Sequence, residues 1–201
     1  MQDALLGQEG GGERNMGSLS PHVLLLTGVP GVGKTTLVRK VAAALPGLNI
    51  RGFITDEIRS GGRRKGFRLV TFQGESIILA HTDLSSPHRV GKYRVNVEAL
   101  DQVVDSALRP DKTVDLYLID EIGRMECCSP RFVTRMQALL DTDHLIVATI
   151  HRHAHGFIQA IKERPDVELW EVTPTNREAM VGQVLAWIEE KSGSRRQRGD
   201  P

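Results

Sequence analysis

The feature that most constrains this 201-residue chain is a glycine-rich turn at residues 28–35. A short apolar run precedes the turn, and a helix-forming stretch follows it at once. The pattern G-x-x-x-x-G-K-[ST] is matched without exception by Gly28, Gly33, Lys34 and Thr35. Glycines let backbone N–H groups approach phosphate oxygens closely, and the start of the following helix adds its positive dipole end. The turn therefore predicts a phosphate-binding loop, and not a turn that merely joins a strand to a helix.

Two side chains of this loop have roles that follow from their chemistry. Lys34 reaches the β- and γ-phosphates of a nucleotide as a mobile point charge. The hydroxyl of Thr35 is an oxygen ligand that suits Mg²⁺. We therefore predict a nucleotide-binding protein with Mg²⁺ as its cofactor, in which Lys34 also assists catalysis.

A second group of residues lies about 90 residues further along the chain. The apolar strand LYLI at residues 116–119 ends in Asp120 and Glu121. An acidic pair after an apolar run also begins many ordinary loops, but after a phosphate loop it is the pattern of a Walker B element. Asp120, at the carboxyl end of a buried strand, is then expected to hold a water bound to Mg²⁺. Glu121 is expected to orient or deprotonate an attacking water.

Alternating strands and helices predict an α/β fold, with a mostly parallel sheet covered by helices on both faces. We expect strands near residues 23–26, 50–55, 114–119, 145–150 and 167–172. We expect helices near residues 97–108, 129–140, 154–162 and 175–190, with Ser129 and Pro130 at the start of the second of these. Residues 56–65 predict a polar turn, residues 67–80 an added antiparallel hairpin, and residues 81–92 a loop.

Composition sets the boundaries of this domain. Residues 1–20 are rich in Gly, Gln and Ser and predict a disordered leader. Residues 21–191 form the expected single nucleotide-binding domain, and the 40% apolar content of the chain is enough for a sizeable core. Residues 192–201 predict a flexible basic tail, which is more often solvated than bound to nucleic acid.

Charge and cysteine content limit the classes of function. A net charge of +1 gives no global attraction to nucleic acid or to a membrane surface. No segment approaches the roughly 18 consecutive apolar residues that span a bilayer. The only two cysteines, Cys127 and Cys128, are neighbours and make a poor structural disulfide. We therefore expect a cytoplasmic protein with reduced thiols, and a monomer rather than an oligomer.

Four segments resemble one known family in their order along the chain: GVPGVGKTTL, GFITDEIRSGGRRKGF, LIDEIGRME and VTPTNR. It is the thermophile-type nucleoside-triphosphatase family, which includes the cancer-related nucleoside triphosphatase, and the likeness covers residues 22–190. The resemblance implies a RecA-like P-loop fold and Mg²⁺-dependent hydrolysis of several nucleoside triphosphates to diphosphates. It implies nucleotide contacts at Gly28, Val29, Pro30, Gly31, Val32, Gly33, Lys34, Thr35 and Thr36, and at Leu116, Tyr117, Leu118, Ile119, Asp120, Glu121, Ile122 and Gly123.

Several other side chains have two interpretations each. Arg124 offsets charge on the transferring phosphoryl group, as an arginine finger does, or is a surface or capping arginine. Asn176 and Arg177 flank the base or ribose, or simply begin the last helix. His151 senses the γ-phosphate, or is an ordinary polar loop residue.

Two clusters of polar residues are ambiguous in the same way. Alternating histidines suggest zinc, but no Cys or acidic residue adjoins His151, His153 and His155, so zinc is disfavoured. A basic group forms a solvated hairpin rim or contacts the nucleotide or an acceptor: Arg59, Arg63, Arg64, Lys65 and Arg68.

The leading interpretation is a hydrolase that converts a nucleoside triphosphate to a diphosphate and phosphate. Its expected partners are ATP, GTP, CTP and UTP, because no base-reading motif is visible. The alternative is a nucleotide or small-molecule kinase, for which the Arg63–Arg64 segment is the lid candidate. A switch or assembly ATPase acting on nucleic acid or protein is a third class. The missing N-K-x-D signature disfavours a dedicated GTPase switch, and a chain of this length contains no added DNA-binding module.

Overall fold

The computed structural model describes residues 21–153 and 155–197, with side chains described as far as Ser194. Its strands are β1 (Val23–Thr27), β2 (Ile50–Ser60), β3 (Arg63–Thr71), β4 (Ser76–His81), β5 (Arg89–Val90), β6 (Tyr93–Val95), β7 (Leu116–Ile122), β8 (Ile146–Ile150) and β9 (Val167–Glu171). Its helices are α1 (Lys34–Ala44), α2 (Val97–Leu108), α3 (Pro130–Leu140), α4 (Phe157–Lys162) and α5 (Arg177–Gln197). A short 3₁₀ turn spans Glu126–Cys128.

These strands form one sheet in the order β5-β6-β4-β3-β2-β7-β8-β1-β9. The five strands β9, β1, β8, β7 and β2 pair in parallel. Strands β1, β7 and β8 are almost wholly buried, as expected of apolar strands at the centre of a parallel sheet. The predicted α/β fold is confirmed. Because β8 lies between β1 and β7, the phosphate loop and the acidic pair end two strands that are not neighbours.

Helices cover both faces of the parallel strands. On one face, α1 and α5 pack over the sheet with Val38, Val41 and Val184 fully buried. On the other face, α2, α3 and α4 cover a second apolar cluster. The predicted start of α3 is confirmed, since the Ser129 hydroxyl accepts a hydrogen bond from the Phe132 N–H at 2.9 Å and Pro130 is the first helical residue. The edge at which the parallel strands β1, β7 and β8 end, called the site edge below, is therefore packed by helices on both faces of the sheet.

The antiparallel part of the sheet is larger than predicted. The expected turn at residues 56–65 is wrong: β2 continues to Ser60, β3 begins at Arg63, and only Gly61 and Gly62 separate them. Charged residues occupy this extension because it projects beyond the core, so both of its faces are polar and no apolar alternation marks it. Glu57 forms ion pairs with Arg59 and Arg64 there. The predicted loop at residues 81–92 also contains the two residues of β5.

Several boundaries differ from the sequence-based ones. Strand β7 passes through the acidic pair and ends at Ile122, and α4 begins at Phe157. Helix α5 continues to Gln197, so residues 192–197, predicted as part of a flexible tail, are helical. Residues 1–20 and 198–201 lie outside the described residues. Within residues 21–153 and 155–197, no helix has both the length and the apolar character that crossing a membrane requires.

Candidate functional site

The phosphate loop follows β1 directly and leads into α1. Three of its glycines occupy conformations that L side chains rarely adopt: Gly28 with φ 154°, Gly31 with φ 80° and Gly33 with φ 112°. A Cβ at position 28 would lie only 2.5 Å from the Val172 carbonyl oxygen, so the loop also needs glycine for space. Gly33 is the N-cap of α1, and no side chain caps the helix. The first N–H groups of α1 are therefore available to an anion.

Lys34 is the first residue of α1 and crosses back over the loop. Its ammonium donates a hydrogen bond to the Gly28 carbonyl oxygen at 3.1 Å. Lys34 and Thr35 are half-buried, whereas Val29, Pro30 and Thr36 are exposed. The loop thus presents a fixed positive charge beside a set of backbone donors, which is the arrangement that a polyphosphate requires.

Asp120 lies at the site edge of β7 and is only 2% exposed. The Thr149 hydroxyl donates to its Oδ1 at 3.0 Å, and the Thr55 hydroxyl donates to its Oδ2 at 3.0 Å. These threonines belong to β8 and β2, the two strands on either side of β7. The carboxylate is therefore fixed from both neighbouring strands. Neither threonine was singled out from the sequence, because the pairing of β7 with β2 and β8 is not a local pattern.

Glu121 occupies an irregular position in the sheet. The register between β7 and β8 shifts between Ile119 and Ile122, so the acidic pair sits in a local disruption of the ladder. Burial is the largest cause of the raised pKa of Glu121, and Asp120 raises this pKa further. Lys34 and His151 act in the opposite direction and lower the pKa. Glu121 is thus close enough to both Lys34 and His151 to interact with their charges. A carboxylate with a raised pKa is a better proton acceptor than an exposed one.

Glu126 is a carboxyl group that sequence analysis did not assign, although it appears in the segment LIDEIGRME. It is 4% exposed, in the 3₁₀ turn just after β7. Burial, then the charge of Glu121, raise its pKa to about 8, and the N–H groups of Glu126 and Gly123 oppose this shift. Glu126 is therefore a buried carboxylic acid beside the candidate base. Its place in the segment LIDEIGRME was a signal that the sequence offered. Its burial could not be read from the sequence.

Arg124 follows the end of β7, and His151 follows the end of β8. Arg124 is exposed, and its carbonyl oxygen accepts the Cys128 thiol at 3.3 Å. The His151 N–H donates to the Ile122 carbonyl at 3.1 Å, which attaches this residue to the end of β7. The ammonium of Lys162 donates to the His151 carbonyl at 2.8 Å. The structure thus brings His151 next to Glu121, and its role toward a γ-phosphate stays a prediction.

Asn176 and Arg177 have different surroundings. The Asn176 side chain accepts the Thr173 N–H at 2.8 Å and donates to the Glu171 carbonyl at 2.9 Å, so it organises the start of α5. Arg177 reaches the phosphate loop, where its guanidinium lies 3.5 Å from the Val32 carbonyl oxygen. Of the two, only Arg177 is in contact with the loop. A contact of either residue with a base or ribose stays a prediction.

The apolar residues of β7 pack in the core next to the site. The side chains of Leu116, Tyr117, Leu118 and Ile119 are fully buried in the two core clusters. Their packing fixes the position of the strand end. Ile122 and Gly123 are also buried, next to the acidic pair. The nucleotide contacts predicted for residues 116–123 stay a prediction.

The two polar clusters of uncertain role are also located. In the hairpin, the Arg64 guanidinium donates to the Tyr93 hydroxyl at 3.0 Å and to Glu57, so it is held in the rim. In the histidine segment, His151 Nδ1 lies 3.1 Å from the His153 carbonyl oxygen. Within residues 21–153 and 155–194, no three His, Cys, Asp or Glu side chains converge as a metal site would require.

The chain resembles one protein family and several known proteins. The model of the NTPase family matches residues 23–185. The nucleoside-triphosphatase THEP1 of Thermotoga sp. (strain RQ2) is 42% identical over 173 residues, which cover 86% of this chain and 98% of that protein. The crystal structure of THEP1 from Aquifex aeolicus is 34% identical and superposes with a TM-score of 0.70, covering 83% of this chain and 99% of the other.

A second solved structure is equally similar. The solution structure of a human cancer-related nucleoside triphosphatase is 34% identical, with a TM-score of 0.73, and the match covers 85% of this chain and 98% of that one. The resemblance inferred from the four sequence segments is therefore confirmed, and the family model covers residues 23–185. The chain belongs to the NTPase family.

Proposed function

We propose that this protein hydrolyses nucleoside triphosphates to diphosphates and inorganic phosphate, with Mg²⁺ as its cofactor. One observation carries the proposal: the phosphate loop and the acidic pair of Asp120 and Glu121 meet at one edge of the sheet, where Glu121 interacts electrostatically with Lys34. The printed names of the relatives, nucleoside-triphosphatase THEP1 among them, support the same reaction.

The triphosphate binds at the loop between β1 and α1. Backbone N–H groups at the start of α1 and the ammonium of Lys34 face its β- and γ-phosphates. Arg177 contacts the loop at Val32 and supplies a further positive charge at the same place. Arg124, exposed next to Gly123, adds charge on the γ-phosphate side. These groups stabilise the charge of the phosphoryl group as it is transferred.

The residues present suit Mg²⁺. Asp120 is buried and receives only hydroxyl and backbone N–H donors among the described residues, so its carboxylate keeps lone pairs for a hard cation. Thr35 contributes a hydroxyl from the first turn of α1. Asp120 and Thr35 would hold the ion, directly or through water. When bound, Mg²⁺ neutralises charge on the phosphate oxygens.

Glu121 acts on the water. It accepts a proton from the attacking water while the water oxygen bonds to the γ-phosphorus and the bond from that phosphorus to the bridging oxygen breaks. The bridging oxygen stays with the diphosphate, and the γ-phosphoryl group leaves as inorganic phosphate. His151, next to Glu121, is positioned to contact the γ-phosphate oxygens. Each group acts from a rigid strand end, which suits a reaction that depends on positioning.

We also propose that the protein is a cytoplasmic monomer with broad base specificity. Its substrates are then ATP, GTP, CTP and UTP. The phosphates and the cation are bound far from the base, so they contribute equally to all four substrates. We therefore expect kcat/KM to differ by less than about tenfold among them, or about 1.4 kcal/mol in transition-state stabilisation.

Phosphate release from each nucleotide tests this, with Mg²⁺ and then with a chelator, and with and without DNA, RNA or candidate acceptors. Lys34→Ala should lose most affinity and turnover, because a charge-assisted contact to the phosphates is lost. Lys40→Ala is the matched control, since Lys40 lies on the same helix but pairs with Glu178 at 3.0 Å. Equal activity of Lys34→Ala and the parent chain would refute the assignment. Diphosphate formation that requires an acceptor would favour a kinase.

A further inference from the structure

A cavity of about 550 Å³ lies beside the acidic pair, and most of its lining residues have no role in the mechanism above. It opens between the turn after β7 and the start of α4. Its lining residues are Arg124, Cys127, His151, His153, His155, Phe157 and Ile158. No residue of the phosphate loop lines it. The cavity therefore lies outside the phosphate loop and adjoins the triphosphate site through Arg124 and His151.

The lining has a definite chemistry. Arg124 supplies a permanent positive charge, and its guanidinium forms no ion pair within residues 21–153 and 155–194. The histidines supply imidazole groups, which donate a hydrogen bond in either protonation state. None of the lining residues is acidic. The polar part of the cavity is thus complementary to an anion.

The remaining lining is apolar. Ile158 is 5% exposed, and Phe157 and Cys127 are half-buried against the core cluster. Burial also raises the pKa of the Cys127 thiol to about 12, so Cys127 contributes an uncharged surface here. A cavity with cationic and imidazole groups at one side and an aromatic and an aliphatic side chain at the other suits a small organic anion.

The groups that line the cavity are held in place. Lys162 donates to the carbonyl oxygens of His151 and Arg152, at 2.8 and 3.0 Å. The His151 N–H is bonded to Ile122, and its Nδ1 to the His153 carbonyl, which leaves Nε2 as its second hydrogen-bonding atom. This side of the cavity therefore needs little ordering when a ligand binds, which favours affinity.

We propose that this cavity binds a small organic anion, a phosphate or carboxylate attached to an apolar group, at the same time as the phosphate loop holds a nucleotide. His151 both lines the cavity and interacts with Glu121, so the bound anion adjoins the position of the γ-phosphate. The inference goes beyond the proposed function, because it concerns a second ligand.

Phenyl phosphate is a suitable probe. The protein is first saturated with Mg²⁺ and a non-hydrolysable ATP analogue, so that the phosphate loop is filled, and the probe is then titrated by calorimetry. We expect saturable binding with a Kd of about 1 mM or below. Phenol, which matches the apolar part but lacks the charge, should not bind measurably. Imidazole proton signals of His151 and His153 should shift during the titration.

Variants locate the probe. Arg124→Gln removes the charge and should weaken binding by about tenfold or more, and His153→Gln should weaken it less. Arg109→Gln is the matched control, because Arg109 is also an exposed arginine. Its carbonyl oxygen accepts the Tyr117 hydroxyl near the start of β7, at the opposite end of that strand from the acidic pair. Melting temperatures of all three variants establish that they fold.

The outcomes are distinct. No saturable binding of phenyl phosphate at millimolar concentration, or equal binding of phenol, would overturn the proposal. Unchanged affinity in Arg124→Gln and His153→Gln together would do the same, since the anion would then lie elsewhere. Failure of the proposed function is detected separately, as failure of the ATP analogue to bind or as its undiminished binding to Lys34→Ala.

Discussion

The carboxyl groups of Glu121 and Glu126 approach each other across Gly123. A Cβ at position 123 would lie 3.4 Å from Cδ of Glu121 and 2.8 Å from Oε2 of Glu126. The missing side chain is therefore what allows two carboxyl groups to occupy the end of β7. Glu126, kept protonated by burial, is the neutral partner of this pair, and Glu121 is the one that faces the charges of Lys34 and His151.

The first prediction separates the roles of the two adjacent acids. Glu121→Gln keeps the shape but removes the basic carboxylate, so we expect hydrolysis to fall by roughly 10²–10⁴-fold. Nucleotide affinity should stay within a few-fold of the parent chain. Asp120→Asn should instead weaken affinity and Mg²⁺ dependence together. Binding of a fluorescent triphosphate and phosphate release are measured in both variants, and the opposite pattern would mean that the two roles are reversed.

The second prediction concerns Gly123→Ala. The added methyl group would lie 2.8 Å from Oε2 of Glu126, so this buried carboxyl must shift. Because it adjoins the carboxyl of Glu121, we expect kcat to fall by about 10²-fold with KM changed little. Steady-state kinetics test this. Gly47→Ala is the control, because a Cβ there meets no atom within 4 Å. Normal kcat in Gly123→Ala would show that Glu121 does not need its present position.

The third prediction is a pH dependence. Burial raises the pKa of Glu126 from 4.5 to about 8, so between these values the folded chain retains a proton that the unfolded chain releases. Stability from this group is therefore present below about pH 4.5 and lost as the pH rises toward about 8. Glu126→Gln is neutral throughout and removes this loss.

We expect the melting temperature of Glu126→Gln, relative to the parent chain, to rise between about pH 5 and about pH 8. Thermal unfolding at a series of pH values measures it. Glu189→Gln makes the same chemical change at an exposed position of α5 and is the matched control. A difference that stays constant with pH would contradict the protonated state of Glu126.

The fourth prediction is a stabilising substitution away from the site. Gly182 is exposed within α5, and a Cβ there meets no atom within 4 Å. Gly182→Ala should stabilise the chain by about 0.5–1 kcal/mol, because alanine loses less backbone entropy in a helix. Gly91→Ala also has space but carries φ 60°, so it should destabilise. Thermal unfolding of both variants tests this, and activity should be unchanged in Gly182→Ala.

The phosphate loop and the acidic strand end were predictable because each is a local pattern. Residues 23–35 contain the strand, the glycines, the lysine and the helix start within one short segment, and the backbone requirements at Gly28 and Gly33 are met by glycine alone. Asp120 and Glu121 follow an apolar run that identified the strand, although β7 continues through the acidic pair to Ile122. Each of these elements can therefore be recognised from residues that are close together in the sequence, without knowledge of long-range contacts.

Other parts depend on long-range pairing. Thr55 and Thr149 become partners of Asp120 only when β2 and β8 flank β7, which no local pattern states. The length of the β2–β3 hairpin is set by cross-strand pairing of charged residues, such as Glu57 with Arg64, and these give no apolar period. The burial of Glu126 likewise depends on how the turn after β7 packs against α2 and α3.

Strand β2 is the one strand that belongs to both parts of the described sheet. It pairs in parallel with β7 through Ile50–Phe53 and in antiparallel with β3 from Phe53 to Ser60, and Thr55, two residues past the last parallel pair, holds Asp120. For protein engineering this defines where the chain tolerates alteration. Insertions, deletions or a fused reporter belong at Gly61 and Gly62, whereas a cut that shortens β2 toward Thr55 would release the carboxylate on which the whole site depends.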